Sequence, residues 1–204
     1  MAKKIGILGG AFNPPTFAHL KIAEKAKKIL KLDKIIFIPY GKAPRKKKDL
    51  ALAKDRFEMT KLLIEGKRGF EIEDYEIKKK GPAFTIETIN YLKRKYKGAE
   101  IFWIIGEDSF REMIEGKWKG GLKVLDLARF VVFQRKNHPF SLENLPKKFK
   151  KREKVAKEKV IFIKTNIPIS SSEIREKIKK KEKIDKFLPK KVKEYIEKKG
   201  LYAK

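Results

Sequence analysis

Ile5-Gly6-Ile7-Leu8-Gly9-Gly10-Ala11-Phe12-Asn13-Pro14-Pro15-Thr16-Phe17-Ala18-His19 begins as an apolar run, crosses two adjacent glycines and two adjacent prolines, and ends in one of the chain's 2 histidines. An apolar run stopped by glycine reads as a buried strand entering a tight loop. Phe17 to Leu30 then carries Leu20, Ile22, Ala23, Ala26, Ile29 and Leu30 at roughly helical spacing. Strand, loop and helix in that order suit a phosphate. Glycines let the backbone approach it closely, and a helix start offers unpaired N–H groups and a positive dipole end. The spacing is not that of a Walker A loop, which needs G-x-x-x-x-G-K-[ST]. Thr16 and His19, three apart at the predicted helix start, share a face and can reach one phosphate.

The same alternation continues outward. Strands are predicted over Lys4–Leu8, Lys34–Pro39, Phe70–Ile77, Glu100–Ile105, Phe130–Phe133 and Val160–Ile163, the fourth so continuously apolar that it reads as a central strand covered on both faces. Helices are predicted over Phe17–Leu30, over Ala53–Ile64 with Phe57, Leu62, Leu63 and Ile64 inward, and from Thr85 with Ile86, Ile89 and Leu92 inward. Thr85 is placed as an N-cap, with Glu87 in the favourable first turn. A short helix follows at Ser109–Met113, and Lys-rich helical patterns occupy Ser170–Lys183 and Pro189–Lys199. Tyr40 to Lys48 is a basic loop, and Lys147 to Lys159 is a charge run. The expected fold is α/β: a Rossmann-like, doubly wound parallel sheet with helices on both faces and a C-terminal helical segment. Such sheets bind ligands beyond the carboxyl ends of their strands. No sharp boundary or internal repeat interrupts the chain, so 1–204 reads as one domain, its core at about 1–165 and its last helices at 166–204.

With 204 residues the chain can bury a sizeable core, and with no cysteine it excludes disulfides, thiolate nucleophiles and Cys-type zinc sites. The net charge of +28 calls for anionic partners or a heat-adapted, thermophile-like surface. Lysines interleaved with Glu along the helical stretches favour the latter. Nucleic acid is the disfavoured partner, because aromatic residues are not interleaved with the basic runs as a stacking surface requires. The longest apolar runs fall far short of the ~20 residues of a membrane span, and the N-terminus lacks a secretory apolar region, so a cytoplasmic location is expected. No oligomeric state follows from the sequence.

A second motif comes late, in Ile169-Ser170-Ser171-Ser172-Glu173-Ile174-Arg175. Ser170 with Glu173 forms a capping box, which marks a helix start. Three hydroxyls with Arg175 one turn inside exceed that role and could grip a polyphosphate. Thr16-Phe17-Ala18-His19 resembles the [T/H]-x-G-H signature of the nucleotidyltransferases of the class I synthetase-like superfamily, with Ala18 in place of the usual glycine. Ile169 to Arg175 is similar to their second signature. Intervening segments resemble one branch, the bacterial nicotinate mononucleotide adenylyltransferases. These are Pro39 to Lys46 (with Arg45 for the usual histidine), Phe84 to Thr88, Gly106-Glu107-Asp108, Trp118-Lys119 and Arg135. The resemblance spans about residues 5–175.

It implies adenylyl transfer from ATP to the 5′-phosphate of nicotinate mononucleotide, giving nicotinate adenine dinucleotide and pyrophosphate in NAD biosynthesis. A phosphate monoester loses its second proton near pH ~6, so the nucleophile is anionic at pH 7 and needs no general base. What remains is to align two anions and neutralise charge on the transferring group. On this reading His19 and Thr16 are catalytic, with Gly9 and Gly10 alongside the α-phosphate. Lys46, Ser171, Ser172 and Arg175 hold the outer phosphates, Gly106 and Asp108 meet the ATP ribose, and Thr85, Trp118 and Arg135 position the mononucleotide. His138 reads as structural. Mg²⁺ is expected as cofactor, bound mainly through substrate phosphates and water. The rivals are an adenylyltransferase acting on nicotinamide mononucleotide or phosphopantetheine, and a basic nucleic-acid-binding protein.

Overall fold

The computed structural model describes residues 2–42, 49–135, 147–166 and 170–203. Lys46, Arg45 and His138 lie outside the described residues, as does the side chain of Arg135. Six strands, β1 (Lys4–Gly10), β2 (Lys34–Pro39), β3 (Phe70–Ile72), β4 (Glu100–Gly106), β5 (Arg129–Arg135) and β6 (Val160–Thr165), form one sheet in the order β3-β2-β1-β4-β5-β6. Every pairing is parallel. The order reverses between β1 and β4, which opens a crevice at the carboxyl ends of those two strands.

Helices cover both faces: α1 (Phe17–Leu30), α2 (Ala53–Ile64), α3 (Tyr75–Lys78), α4 (Thr85–Lys95), α5 (Glu107–Ile114), α6 (Glu153–Lys159), α7 (Ser171–Lys179) and α8 (Lys190–Lys198). Successive strand residues face opposite sides, and the core divides accordingly. Ile5, Ile7, Ile101 and Trp103 pack with α4, α5, α6 and the 3-10 turn Gly121–Asp126. Leu8, Phe37, Phe102 and Ile104 pack with α1, α2, α7 and α8. Among the described residues no helix is long and apolar enough to cross a membrane.

Several local expectations are corrected. Phe70–Ile77 is not one strand: β3 ends at Ile72 and α3 begins at Tyr75. Glu73 and Glu76 are both buried, three apart; Lys95 of α4 pairs with Glu73, and the Thr88 hydroxyl of α4 donates a hydrogen bond to Glu76. A spacing of three belongs to a helical turn, and the apparent alternation missed it. In α2 the inward face is Arg56, Met59, Thr60, Leu63 and Ile64, so Leu63 and Ile64 point inward as expected while Phe57 is only half-buried. Ile29 of α1 is exposed. Thr85 is the first helical residue rather than the cap; Phe84 takes the N-cap position in an extended conformation. The charge run from Lys147 is helical, a 3-10 turn (Lys147–Arg152) leading into α6.

Candidate active site

β1 delivers the first motif to the reversal point. Gly9 there makes room for Trp103, since a Cβ on Gly9 would stand 3.0 Å from its ring, so this glycine serves packing whatever else it does. Thr16 is the N-cap of α1 and is buried. Its backbone N–H donates to His19 Nδ1 at 3.1 Å, and its hydroxyl oxygen lies 2.9 Å from the same nitrogen. A ring nitrogen that accepts an N–H bond carries no proton, so the neutral ring holds its proton on Nε2, as a donor. Desolvation lowers the His19 pKa from 6.5 to about 4, and the half-buried ring packs against Phe12 at 5.1 Å.

The late motif docks directly on the first. Ser170 caps α7 reciprocally with Glu173. Ser171 Oγ donates to Pro14 O at 2.8 Å, Arg175 Nη1 donates to Asn13 O at 2.9 Å, and Arg175 Nη2 reaches Ser172 Oγ at 3.3 Å. The Ser171 proton is thus committed to fastening the motif, while Ser172 stays exposed with its proton uncommitted to Arg175, which donates to it.

Three residues that sequence reasoning did not single out build this corner. Asn13 donates to Asp49 O at 2.7 Å, and its Oδ1 accepts from Ala51 N–H at 3.0 Å and from Tyr202 Oη at 2.8 Å. Arg56, fully buried, donates to the carbonyls of Ala11, Tyr40, Gly41 and Ala51 at 2.7–3.0 Å. It ties the loop after β1 to the loop after β2. The sequence held one signal for it: Arg56 shares the i, i+3, i+4, i+7 face with Met59, Thr60 and Leu63.

The remaining site residues come from the other helical layer. Gly106 closes β4 as the extended N-cap of α5, with open space around it. Asp108 sits exposed in the first turn of α5 and is not its cap; its neighbour Glu107 is buried and paired with Arg111 at 2.6 Å. Thr85 opens α4, and Trp118, half-buried against the α4–α5 core, lies in the turn that follows α5. Arg135 is the last residue of β5, at the carboxyl edge of the sheet. Among the described residues no group of three or more His, Asp and Glu side chains could hold a metal ion. Hydroxyl, N–H and guanidinium donors suit phosphate oxygens and not the cation itself.

A cytidylyltransferase-like family model matches residues 7–177. The chain is 42% identical over 202 residues to the probable nicotinate-nucleotide adenylyltransferase of Clostridium tetani, covering 98% of this chain and 99% of that one. It is 43% identical over 137 residues to the similarly named protein of Clostridium acetobutylicum, covering 67% of this chain and 68% of that one. In fold it matches the Plasmodium falciparum nicotinic acid mononucleotide adenylyltransferase solved with NaAD, with a TM-score of 0.77 at 22% identity over 98% of this chain and 97% of that one. The chain belongs to the cytidylyltransferase-like family and, within it, to the nicotinate-nucleotide adenylyltransferases.

Proposed function

We propose that the crevice between β1 and β4 joins ATP to nicotinate mononucleotide, with His19 at the transferring phosphate. The observation that carries this reading is the docking of α7 on the Asn13-Pro14 loop, which sets a hydroxyl- and arginine-bearing helix start beside the one that holds Thr16 and His19.

In this mechanism the mononucleotide's 5′-phosphate oxygen attacks the α-phosphorus of ATP, the bond to the β-phosphate oxygen breaks, and pyrophosphate leaves. His19 donates from Nε2 to an α-phosphate oxygen as charge accumulates there. The Gly9–Gly10 backbone and Thr16 flank it. Ser172, Arg175 and the free N–H groups of α7 hold the outer phosphates, Ser171 fixes the motif's position, and Lys46 adds charge. Gly106 and Asp108 receive the ribose, while Thr85, Trp118 and Arg135 orient the mononucleotide. Mg²⁺, held by phosphate oxygens and water, would reduce repulsion between the two anions. Two helix starts with fixed donors supply preorganised stabilisation that water would have to reorganise to match.

The test is pyrophosphate release from ATP with nicotinate mononucleotide, nicotinamide mononucleotide or phosphopantetheine as acceptor. Preference for the nicotinate form is expected. Equal turnover of the two pyridine substrates, or turnover of phosphopantetheine alone, would overturn the substrate assignment.

A further inference from the structure

Glu87, in the first turn of α4, accepts from two lysines that arrive from different parts of the chain. Lys119, directly after Trp118, donates at 2.8 Å, and Lys79, just beyond α3, is the other partner. Their ammonium groups also lie over the Phe84 ring, at 4.6 Å and 5.6 Å from its centroid, and Lys79 Nζ donates to Pro82 O at 3.0 Å. Beside this, Gly120 at φ +88° packs so closely on Ile86 that a Cβ would stand 3.0 Å from Ile86 Cδ1. Two consecutive residues of α4, Ile86 and Glu87, thus hold two consecutive residues of the turn, Gly120 and Lys119. Bonds from Lys119 and Lys79 keep the Glu87 carboxyl below its ordinary range.

The arrangement is open to solvent, with the Lys119 side chain 56% and the Glu87 side chain 33% exposed. Exposed ion pairs contribute only about 0–1 kcal/mol to stability, so this one does little for the fold as a whole. Its geometric effect is larger. Thr85 lies two residues before Glu87, Trp118 lies one before Lys119, and these are the groups assigned above to the mononucleotide.

We propose that Glu87 is a positioning residue that sets the spacing between Thr85 and Trp118 and so forms the mononucleotide subsite. The inference rests on the functional reading above. Glu87 meets both lysines at once because a carboxylate offers two charged acceptor oxygens. Glutamine offers one neutral acceptor and would release one side of the clasp.

The test is steady-state kinetics with each substrate varied in turn, for the unaltered protein, E87Q, K119M, the double variant and the control K157M. Lys157 forms a comparable exposed pair with Glu153, far along the chain in α6. E87Q and K119M are each expected to raise KM for nicotinate mononucleotide by about tenfold through misplacement of the subsite, with kcat and KM for ATP unchanged. The double variant should be no worse than the worse single one, since both remove one contact. K157M should change nothing. An unmoved mononucleotide KM in both single variants overturns the inference, as does a proportional loss of all parameters together with folded protein. Should E87Q fail to fold, K119M decides alone, because its side chain is solvent-exposed. Absence of turnover by the unaltered protein overturns the functional reading itself, a result distinct from turnover with an unmoved KM.

Discussion

Arg175 Nη1 donates to the carbonyl oxygen of Asn13 at 2.9 Å, joining residues 162 positions apart. Its other arm reaches Ser172 at 3.3 Å. A planar guanidinium spans both acceptors, whereas an ammonium group on a flexible stem spans one. Arg175→Lys therefore keeps the charge and loses the fork. Initial rates with ATP varied should show KM for ATP about tenfold higher, with a larger rise in Arg175→Met.

His19→Ala should lower kcat by about 10²–10³-fold, the usual loss when one preorganised donor to a developing charge is removed, while circular dichroism remains native. The ring's lowered pKa also has a stability consequence. The unfolded chain takes up the proton first as pH falls, so the contribution of His19 is complete above pH 6.5 and lost as pH drops towards about 4. The integrated loss is about 3 kcal/mol. Melting curves for His19→Gln should be less acid-sensitive than wild type across that window. Over the same range, the acid limb of kcat/KM should follow the mononucleotide phosphate near pH ~6 and not the histidine.

Glu76 shows the opposite sign. Burial pushes its carboxyl from 4.5 up to about 6, against the bond donated by Thr88 Oγ1 at 2.6 Å. The folded state binds the proton more tightly, so the contribution is present below pH 4.5 and lost as pH rises through 6. Above that, the buried carboxylate costs about 2 kcal/mol. Glu76→Gln keeps an acceptor for Thr88 and avoids the charge. Urea unfolding should find the variant more stable at pH 8 by about 2 kcal/mol and nearly equal to wild type at pH 4.5.

Arg56→Ala leaves the carbonyls of Ala11, Tyr40, Gly41 and Ala51 without their shared donor. The four acceptors are part-buried, so water recovers some of the roughly 1–3 kcal/mol that each unsatisfied buried acceptor would cost, and a loss of about 3 kcal/mol is expected in denaturant unfolding. Arg56→Lys should recover only part of it, because three donors on one nitrogen cannot face two loops.

The elements that were legible in the sequence are those whose signals are local. Gly9–Gly10 ending an apolar run marks β1, and Ser170 with Glu173 marks the start of α7, because each pattern is complete within a few residues. Glu73 and Glu76 defeated the alternation reading because their partners lie 12 to 22 positions away, on α4. Arg56 was hidden for a related reason: a charged residue can sit at a core position only when distant carbonyls meet it, and hydropathy carries no record of them. In the site, Thr16, His19, Ser171, Ser172 and Arg175 belong to compact motifs and were singled out, and the structure docks the two motifs on one another. Asn13 and Tyr202 take their roles from one another across 189 positions and were not singled out. Lys46 and the Arg135 side chain fall outside the described structure.

The bond from Tyr202 to Asn13 has a consequence for how the protein is made. The loop carrying Asn13 is synthesised first, and the hydroxyl that completes its bracing is added 189 residues later, after the residues of α7 and α8. A nascent chain thus has the Asn13 loop long before it has the last of the contacts that brace it. A product cut short before Tyr202 would retain every group assigned to the chemistry while lacking one of the contacts that holds the loop in place.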